Sequence, residues 1–164
     1  MQSGNARAGG LIGFIYGGVV SNCFAKGNVT ANSIAPTGTS TFINSYAGGL
    51  ASSNSGTIIN CFATGNITAI SEYNLFASAS AGGLVASNSG TITNSYRLYN
   101  QSFYRKDVTG TYYDASNISG TICVVGQLYY EDFYINTLGW STSIWDFSSV
   151  YGGHPKFVWE VLKS

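Results

Sequence analysis

Apolar side chains in this chain come in short runs, and no window shows the 3.6-residue period of an amphipathic helix. Segments such as Gly56-Thr57-Ile58-Ile59-Asn60-Cys61-Phe62 set a few β-formers between Gly and Asn, which predicts many short strands. The pattern also repeats. Ala8-Gly9-Gly10-Leu11 returns as Ala47-Gly48-Gly49-Leu50 and as Ala81-Gly82-Gly83-Leu84, at spacings of 39 and 34 residues. A second block follows each time: Gly18-Val19-Val20-Ser21-Asn22-Cys23-Phe24, then Gly56 to Phe62, then Gly90-Thr91-Ile92-Thr93-Asn94-Ser95-Tyr96. A period between about 20 and 50 residues marks a repeat array.

One such unit cannot bury its apolar face alone, so the units are expected to stack in parallel. Leu11, Leu50 and Leu84 then form one inner column, and Val20, Ile58 and Ile92 another. The Gly pairs are expected to turn the corners, because Gly reaches positive φ without a Cβ penalty. Asn22, Asn60 and Asn94 recur at one position, where amides about 4.8 Å apart can hydrogen-bond along the stack. Cys23 and Cys61 also share a position. A spacing of about 4.8 Å suits two packed thiols better than a disulfide, whose Cβ atoms stand nearer 3.8 Å.

The segments between the repeat cores, Ala31 to Tyr46 and Ala69 to Ser80, differ in length, and unequal segments of this kind project from a rod and often carry binding. Thr41-Phe42-Ile43-Asn44 and Tyr73-Asn74-Leu75-Phe76 read as short strands on a third side of each coil. Arg97-Leu98-Tyr99-Asn100 replaces the Asn-containing ending of the first two repeats, so the array is expected to break off there. From Tyr112 onward aromatic residues crowd the chain, which suits a hydrophobic plug over the open end of the stack. The domain reading is residues 1–7 as a leader or truncated edge, repeats over 8–46, 47–80 and 81–111, and an aromatic C-terminal cap over 112–164. The fold class is all-β: a parallel β-helix, or β-solenoid, of about three irregular coils with that cap.

Composition narrows the function. Charged residues make up 9% of the 164, against roughly a quarter in ordinary domains, and the net charge is zero. Nothing here attracts nucleic acid or an anionic membrane surface. No apolar run approaches the roughly 20 residues that span a bilayer. Between Ala8 and Tyr96 only Lys26 and Glu72 are charged, so the repeat body is a neutral rod. Met1-Gln2-Ser3-Gly4 leads almost directly into the first repeat, and an array that starts so abruptly is expected to be part of a longer protein with other domains.

These blocks resemble the GLUG repeat of bacterial surface proteins. The later stretch resembles the segment that closes such arrays, through Tyr113-Asp114, Ser119-Gly120, Gly139-Trp140, Trp145-Asp146-Phe147 and Gly153-His154-Pro155. The resemblance covers about residues 8 to 159. It implies a β-solenoid and an extracellular or cell-surface setting, and it brings no catalytic residues. The chain departs from the pattern in its long inter-repeat segments, an extra residue in repeat one, and His154 where Tyr is usual.

Candidate chemistry is sparse. His154 is the sole histidine, near Asp146, Ser148 and Ser149, but nearness in sequence does not make a triad. A glycoside hydrolase needs two carboxylates about 5 to 9.5 Å apart, and the repeat body holds one acid, Glu72. Glu131 and Asp132 would diverge on a strand, and Asp107, Asp114 and Asp146 read as turn or cap residues. No spacing of His and Cys suits zinc, no loop suits calcium, and no cofactor is expected. Thr57 and Thr91 align, but Val19 breaks the flat Thr ladder that ice binding requires. The expected function is therefore a non-enzymatic adhesin-like segment that presents loops to glycans or to host or bacterial proteins. Tyr73, Phe76, Tyr99, Phe103 and Tyr104 are its candidate binding residues. A purely structural spacer is the alternative, and a carbohydrate-active enzyme a remote one.

Overall fold

The computed structural model describes residues 4–35, 42–72, 76–116, 119–148, 150 and 154–161. Three coils of five strands wind through them. The first holds β1 (Ala6–Gly9), β2 (Ile12–Ile15), β3 (Val19–Ser21), β4 (Phe24–Ala25) and β5 (Val29–Ile34). The second holds β6 (Ile43–Gly48), β7 (Ala51–Asn54), β8 (Thr57–Ile59), β9 (Phe62–Ala63) and β10 (Ile67–Glu72). The third holds β11 (Ala77–Gly82), β12 (Val85–Asn88), β13 (Thr91–Thr93), β14 (Tyr96–Leu98) and β15 (Phe103–Asp107). Equivalent strands pair in parallel from coil to coil, which makes five stacked sides. The chain is a parallel β-helix. Ala6 pairs with Ser45 but Val19 with Thr57, so the extra residue of the first coil is absorbed between β2 and β3. Among the described residues no helix is long and apolar enough to cross a membrane.

Two separate cores fill the coils. Leu50, Ile58, Cys61, Leu84 and Val85 are fully buried together, with Val20 and Ile92 packed against them. Leu11 occupies the equivalent layer position, and its N–H donates to Leu50 O at 2.9 Å. It ends the stack, however, and is 46% exposed, so the expected Leu column has two buried members rather than three. The second core lies between sides one and five and is built mostly of alanines: Ala31, Ala47, Ala69, Ala79 and Ala81, with Val29 and Ile67. Such small side chains bring the two sheets close together, and Ser45 Oγ donates across them to Ile70 O.

The corners work differently from the expectation. The Gly9–Gly10, Gly48–Gly49 and Gly82–Gly83 pairs do not take positive φ; the left-handed position that recurs in every coil falls instead on Asn22 (55°), Asn60 (55°) and Asn94 (43°). Asn tolerates this left-handed conformation better than other side chains do. Its amide then points along the stack: Asn60 Nδ2 donates to Asn22 Oδ1 (3.2 Å), and Asn94 Nδ2 to Asn60 Oδ1 (2.8 Å). The glycine pairs answer a different need, close approach of backbone. A Cβ on Gly49 would run into Gly83 O, and one on Gly10 into Gly49 O.

At the projecting segments β6 runs from Ile43 and β11 from Ala77, and Phe76 lies in a turn; Thr41 and residues 73–75 of the two expected strands lie outside the described residues. Ala77, Ala79 and Ala81 are buried between more accessible serines. Their packing against side five makes a strand of residues with weak β preference. The array also continues past Arg97. β14 pairs with β9, β15 pairs with β10, and two extra residues around Tyr99 and Asn100 are accommodated as a bulge between them.

The chain then closes its own end with polar groups. β16 (Gly110–Tyr112) folds back antiparallel on β15, and β17 (Thr121–Cys123) adds a fourth layer to β14. Side chains capture the exposed edge amides. Ala79 N donates to Asp107 Oδ2 (3.4 Å), Ala81 N to Ser116 Oγ (2.8 Å), and Val85 N to Ser119 Oγ (3.3 Å). Unpaired strand edges invite association, and this arrangement blunts them.

The aromatic segment is not a plug over that end. It lies along side four, where Phe24 in β4, Phe62 in β9 and Tyr96 in β14 point outward one above the other. Phe133, Tyr134, Trp140, Trp145 and Phe147 pack against this column. Trp140 Nε1 donates to Asn60 O at 2.7 Å. His154 sits 5.7 Å from the Phe24 ring, so the segment reaches from the third coil to the first. The apolar column needed cover, and the flank that bears it is the flank that was covered. The segment itself is mostly irregular, with β18 (Trp145–Asp146) and β19 (Lys156–Phe157) as a two-stranded ribbon before a single helical turn, α1 (Val158–Val161).

Gly49→Ala will lower the unfolding free energy by at least about 1–3 kcal/mol, because the added methyl overlaps backbone that cannot yield. Gly13→Ala, where a Cβ meets nothing within 4 Å, will change it by less than about 0.5 kcal/mol. Denaturant titration of the two variants checks both.

Candidate functional site

The five candidate binding residues do not form one patch. Tyr73 lies outside the described residues. Tyr99 is 68% exposed at the bulge between sides four and five, tethered by its N–H to Cys123 O at 2.7 Å. Phe103 turns inward. It stacks in register on Ile67 and Val29, packs against the alanine core, and lies 5.9 Å from the Arg97 guanidinium, so it is a core residue. Tyr104 alternates to the outer face, half-buried, and meets Tyr113 edge to face at 5.5 Å. On the same face Lys106 pairs with Glu72. Arg105, in register with buried Ala69 on the alternate face, pairs with Asp114 (3.0 Å) and lies over the Tyr112 ring. The outer face of side five thus carries Tyr104, Tyr113 and the Lys106–Glu72 pair.

Phe76 has a partner that the sequence did not single out. Ile43 aligns with Ala77, which puts Phe42 directly beside Phe76 at the turn between sides five and one. Their rings stand 4.8 Å apart and tilt by 37°. They are 64% and 46% exposed. Beneath them, among the described residues, Ala35, Ile43 and Ala77 form a small cluster. Two aromatic rings at the layer spacing, at the turn between sides five and one, make an apolar step. Such a surface can stack on a sugar ring or receive an apolar side chain.

The aromatic segment holds a cleft of about 300 Å³, lined by Glu131, Thr142, Asp146, Ser148, Val158 and Val161 over Trp145 and Phe147. Glu131 and Asp146, which looked scattered in the sequence, thus line one cleft. Both oxygens of Asp146 are already engaged by Ser148, its Oγ at 2.7 Å and its N at 3.3 Å. Trp145 offers no open ring face, being stacked between Trp140 (4.7 Å) and Phe157 (4.3 Å). His154 meets Lys26 Nζ at 3.5 Å and the Phe24 ring, which makes it a packing residue between the segment and the first coil. Ser149 lies outside the described residues.

The stacked thiols are free. The Cys61 S–H donates to Ile59 O at 3.1 Å. Interaction with the neighbouring Cys61 thiol lowers the Cys23 pKa to about 7 against the opposing effect of burial. The same contact, together with burial, drives Cys61 far above its ordinary value. Burial pushes Cys123 up to about 11. At Asp107 partial burial works against the charge, yet hydrogen bonds from Thr109 Oγ1 and N and from Ala79 N outweigh it and lower the carboxyl pKa.

Comparison with known proteins agrees with the repeat structure. The family model for the GLUG motif matches residues 4–30 and 43–68, which are the bodies of the first two coils. No curated protein matches the chain. A solved structure from Bacteroides ovatus, provisionally designated an immunoglobulin A1 protease, aligns with a TM-score of 0.49 and 20% identity. The alignment covers 96% of this chain and 56% of that one, so this chain spans about half its length.

Two titrations follow from the site. Cys23 will be alkylated first among the three thiols, with a rate that rises through about pH 7, as mass mapping after iodoacetamide will show. Asp107, with its pKa held below the ordinary 3.8, contributes fully above that value and loses its contribution as pH falls below it. Asp107→Asn will therefore flatten the acid limb of a stability-versus-pH curve.

Proposed function

We propose that this GLUG-repeat solenoid is a non-enzymatic binding segment of a secreted or cell-surface adhesin-like protein, a rod that presents its narrow tip to neutral glycans or to proteins. The exposed Phe42–Phe76 step carries this reading. Two large rings held in register at the surface, 64% and 46% exposed, forgo part of the about 1.5–3 kcal/mol that full burial of each would contribute. Their position on the tip favours contact with a large external partner over capture of a small molecule in a cavity. Between Ala8 and Tyr96 the coils carry only Lys26 and Glu72 as charges, which favours an uncharged ligand face there.

Binding by the whole chain on a glycan array and in pull-downs tests the proposal, with Phe42→Ala/Phe76→Ala as the variant. The double variant will lose at least about tenfold in affinity, as expected when central aromatic contacts are removed. Its melting temperature will stay close to that of the parent, since exposed substitutions change stability by no more than about 0.5 kcal/mol each. Undiminished adhesion by a folded double variant would replace this reading with that of a structural spacer.

A further inference from the structure

We propose that the upper edge of β13 is a docking site for an extended, uncharged polypeptide strand supplied by a partner protein, added parallel to β13 in the layer that residues 119–121 leave unfilled. The gap is a consequence of how the chain ends its stack. Layer three travels from Val85 to Ser95 by way of β12 and β13. Layer four crosses the same distance in three residues: Ser119 Oγ meets Val85 N, and Thr121 N donates to Ser95 O at 2.8 Å. The shortcut is tight, since a Cβ on Gly120 would lie 2.5 Å from Leu84 Cδ1. Glycine is what lets it close.

The shortcut leaves β13 as the top strand of its side, beneath a cleft of about 340 Å³ lined by Asn88, Ile92, Asn94, Ser95 and residues 119–121. Thr91 N donates down to Gly56 O (2.9 Å), and Thr93 O accepts from Asn60 N (3.3 Å). Alternation along a parallel strand then turns the Ile92 N–H and C=O upward into the cleft. The side chain of Ile92 ends the Val20–Ile58–Ile92 column and is only half-buried. The site therefore offers one donor, one acceptor and an apolar floor in the geometry by which an edge strand receives a peptide.

The lining also selects the occupant. It contains no charged residue and no aromatic ring, so it suits neither an acidic nor a basic peptide, and lacks the stacking surface a sugar would use. In the layers below, the same place is filled by Val19–Ser21 and Thr57–Ile59, short neutral strands with a β-branched central residue. A second copy of this chain is disfavoured on shape. Ser116 and β17 already occupy layer four on the neighbouring sides, and would hold a flat first coil away from the notch.

The test is fluorescence anisotropy of the full chain with a labelled Gly-Thr-Ile-Thr-Asn-Ser peptide, the sequence of residues 90–95. Saturable binding is expected, weakened by about tenfold or more when the peptide Ile is replaced by Lys, the loss expected for one unburied β-branched side chain. Thr121→Trp, an exposed position beside the cleft, will block the site. Should that variant fold poorly, slowed amide exchange at Ile92 on adding peptide to the parent chain supplies the same answer. Absence of saturation at millimolar peptide, binding that Thr121→Trp leaves unchanged in a folded protein, or concentration-dependent dimerisation that the substitution abolishes would each overturn the proposal, the last in favour of a second copy.

Discussion

Every part of this molecule depends on successive coils staying in register, and the Asn22–Asn60–Asn94 column is where register is enforced most strictly. Each of these residues holds a left-handed backbone that costs most L-residues about 1–2 kcal/mol. Each also spends its amide on the layer above or below. A slip of one residue would move other side chains into that conformation and turn every strand inside out. It would also drive Cβ atoms into corners where glycine is obligatory. Three independent penalties thus fall on the same error, which explains how a chain with so few charges and such small side chains selects one structure.

The small side chains have a structural use. Alanine and serine between sides one and five produce a thin wing rather than a rounded barrel, with the larger aliphatic residues confined to a second core. Thinness puts the turn between those sides at a tip. The Phe42–Phe76 pair lies there. The turn that bears it is thus set apart from the columns that hold the coils together.

The repeat columns were legible in the sequence because they are periodic. The pairings of Val20, Ile58 and Ile92, of Asn22, Asn60 and Asn94, and the interruption of the Thr column at Val19 all stand as the spacing implies. What was not legible was direction. Phe24, Phe62 and Tyr96 repeat as regularly as the leucines, yet they face outward, and a period alone cannot say which face of a short strand is inside. The position of the aromatic segment followed from that unknown. Leu11 and Phe103 show the same limitation in single residues: one is exposed because its layer ends the stack, the other turns partly buried toward the alanine core because its strand resumes after a bulge. The Phe42–Phe76 pair was half visible, since Phe76 was singled out but its neighbour became apparent only through a register offset that the sequence hides.

The flank-lying aromatic segment has a mechanical consequence. A bare solenoid pulled along its axis would peel one layer at a time, each rupture needing only a few hydrogen bonds to fail. Here Trp140 is tied to the second coil, His154 touches the first, and Phe133 meets Tyr96 of the third, so one brace spans the stack. Traction on this rod must shear that brace before any layer separates, which converts a sequential unzipping into a single high-force event.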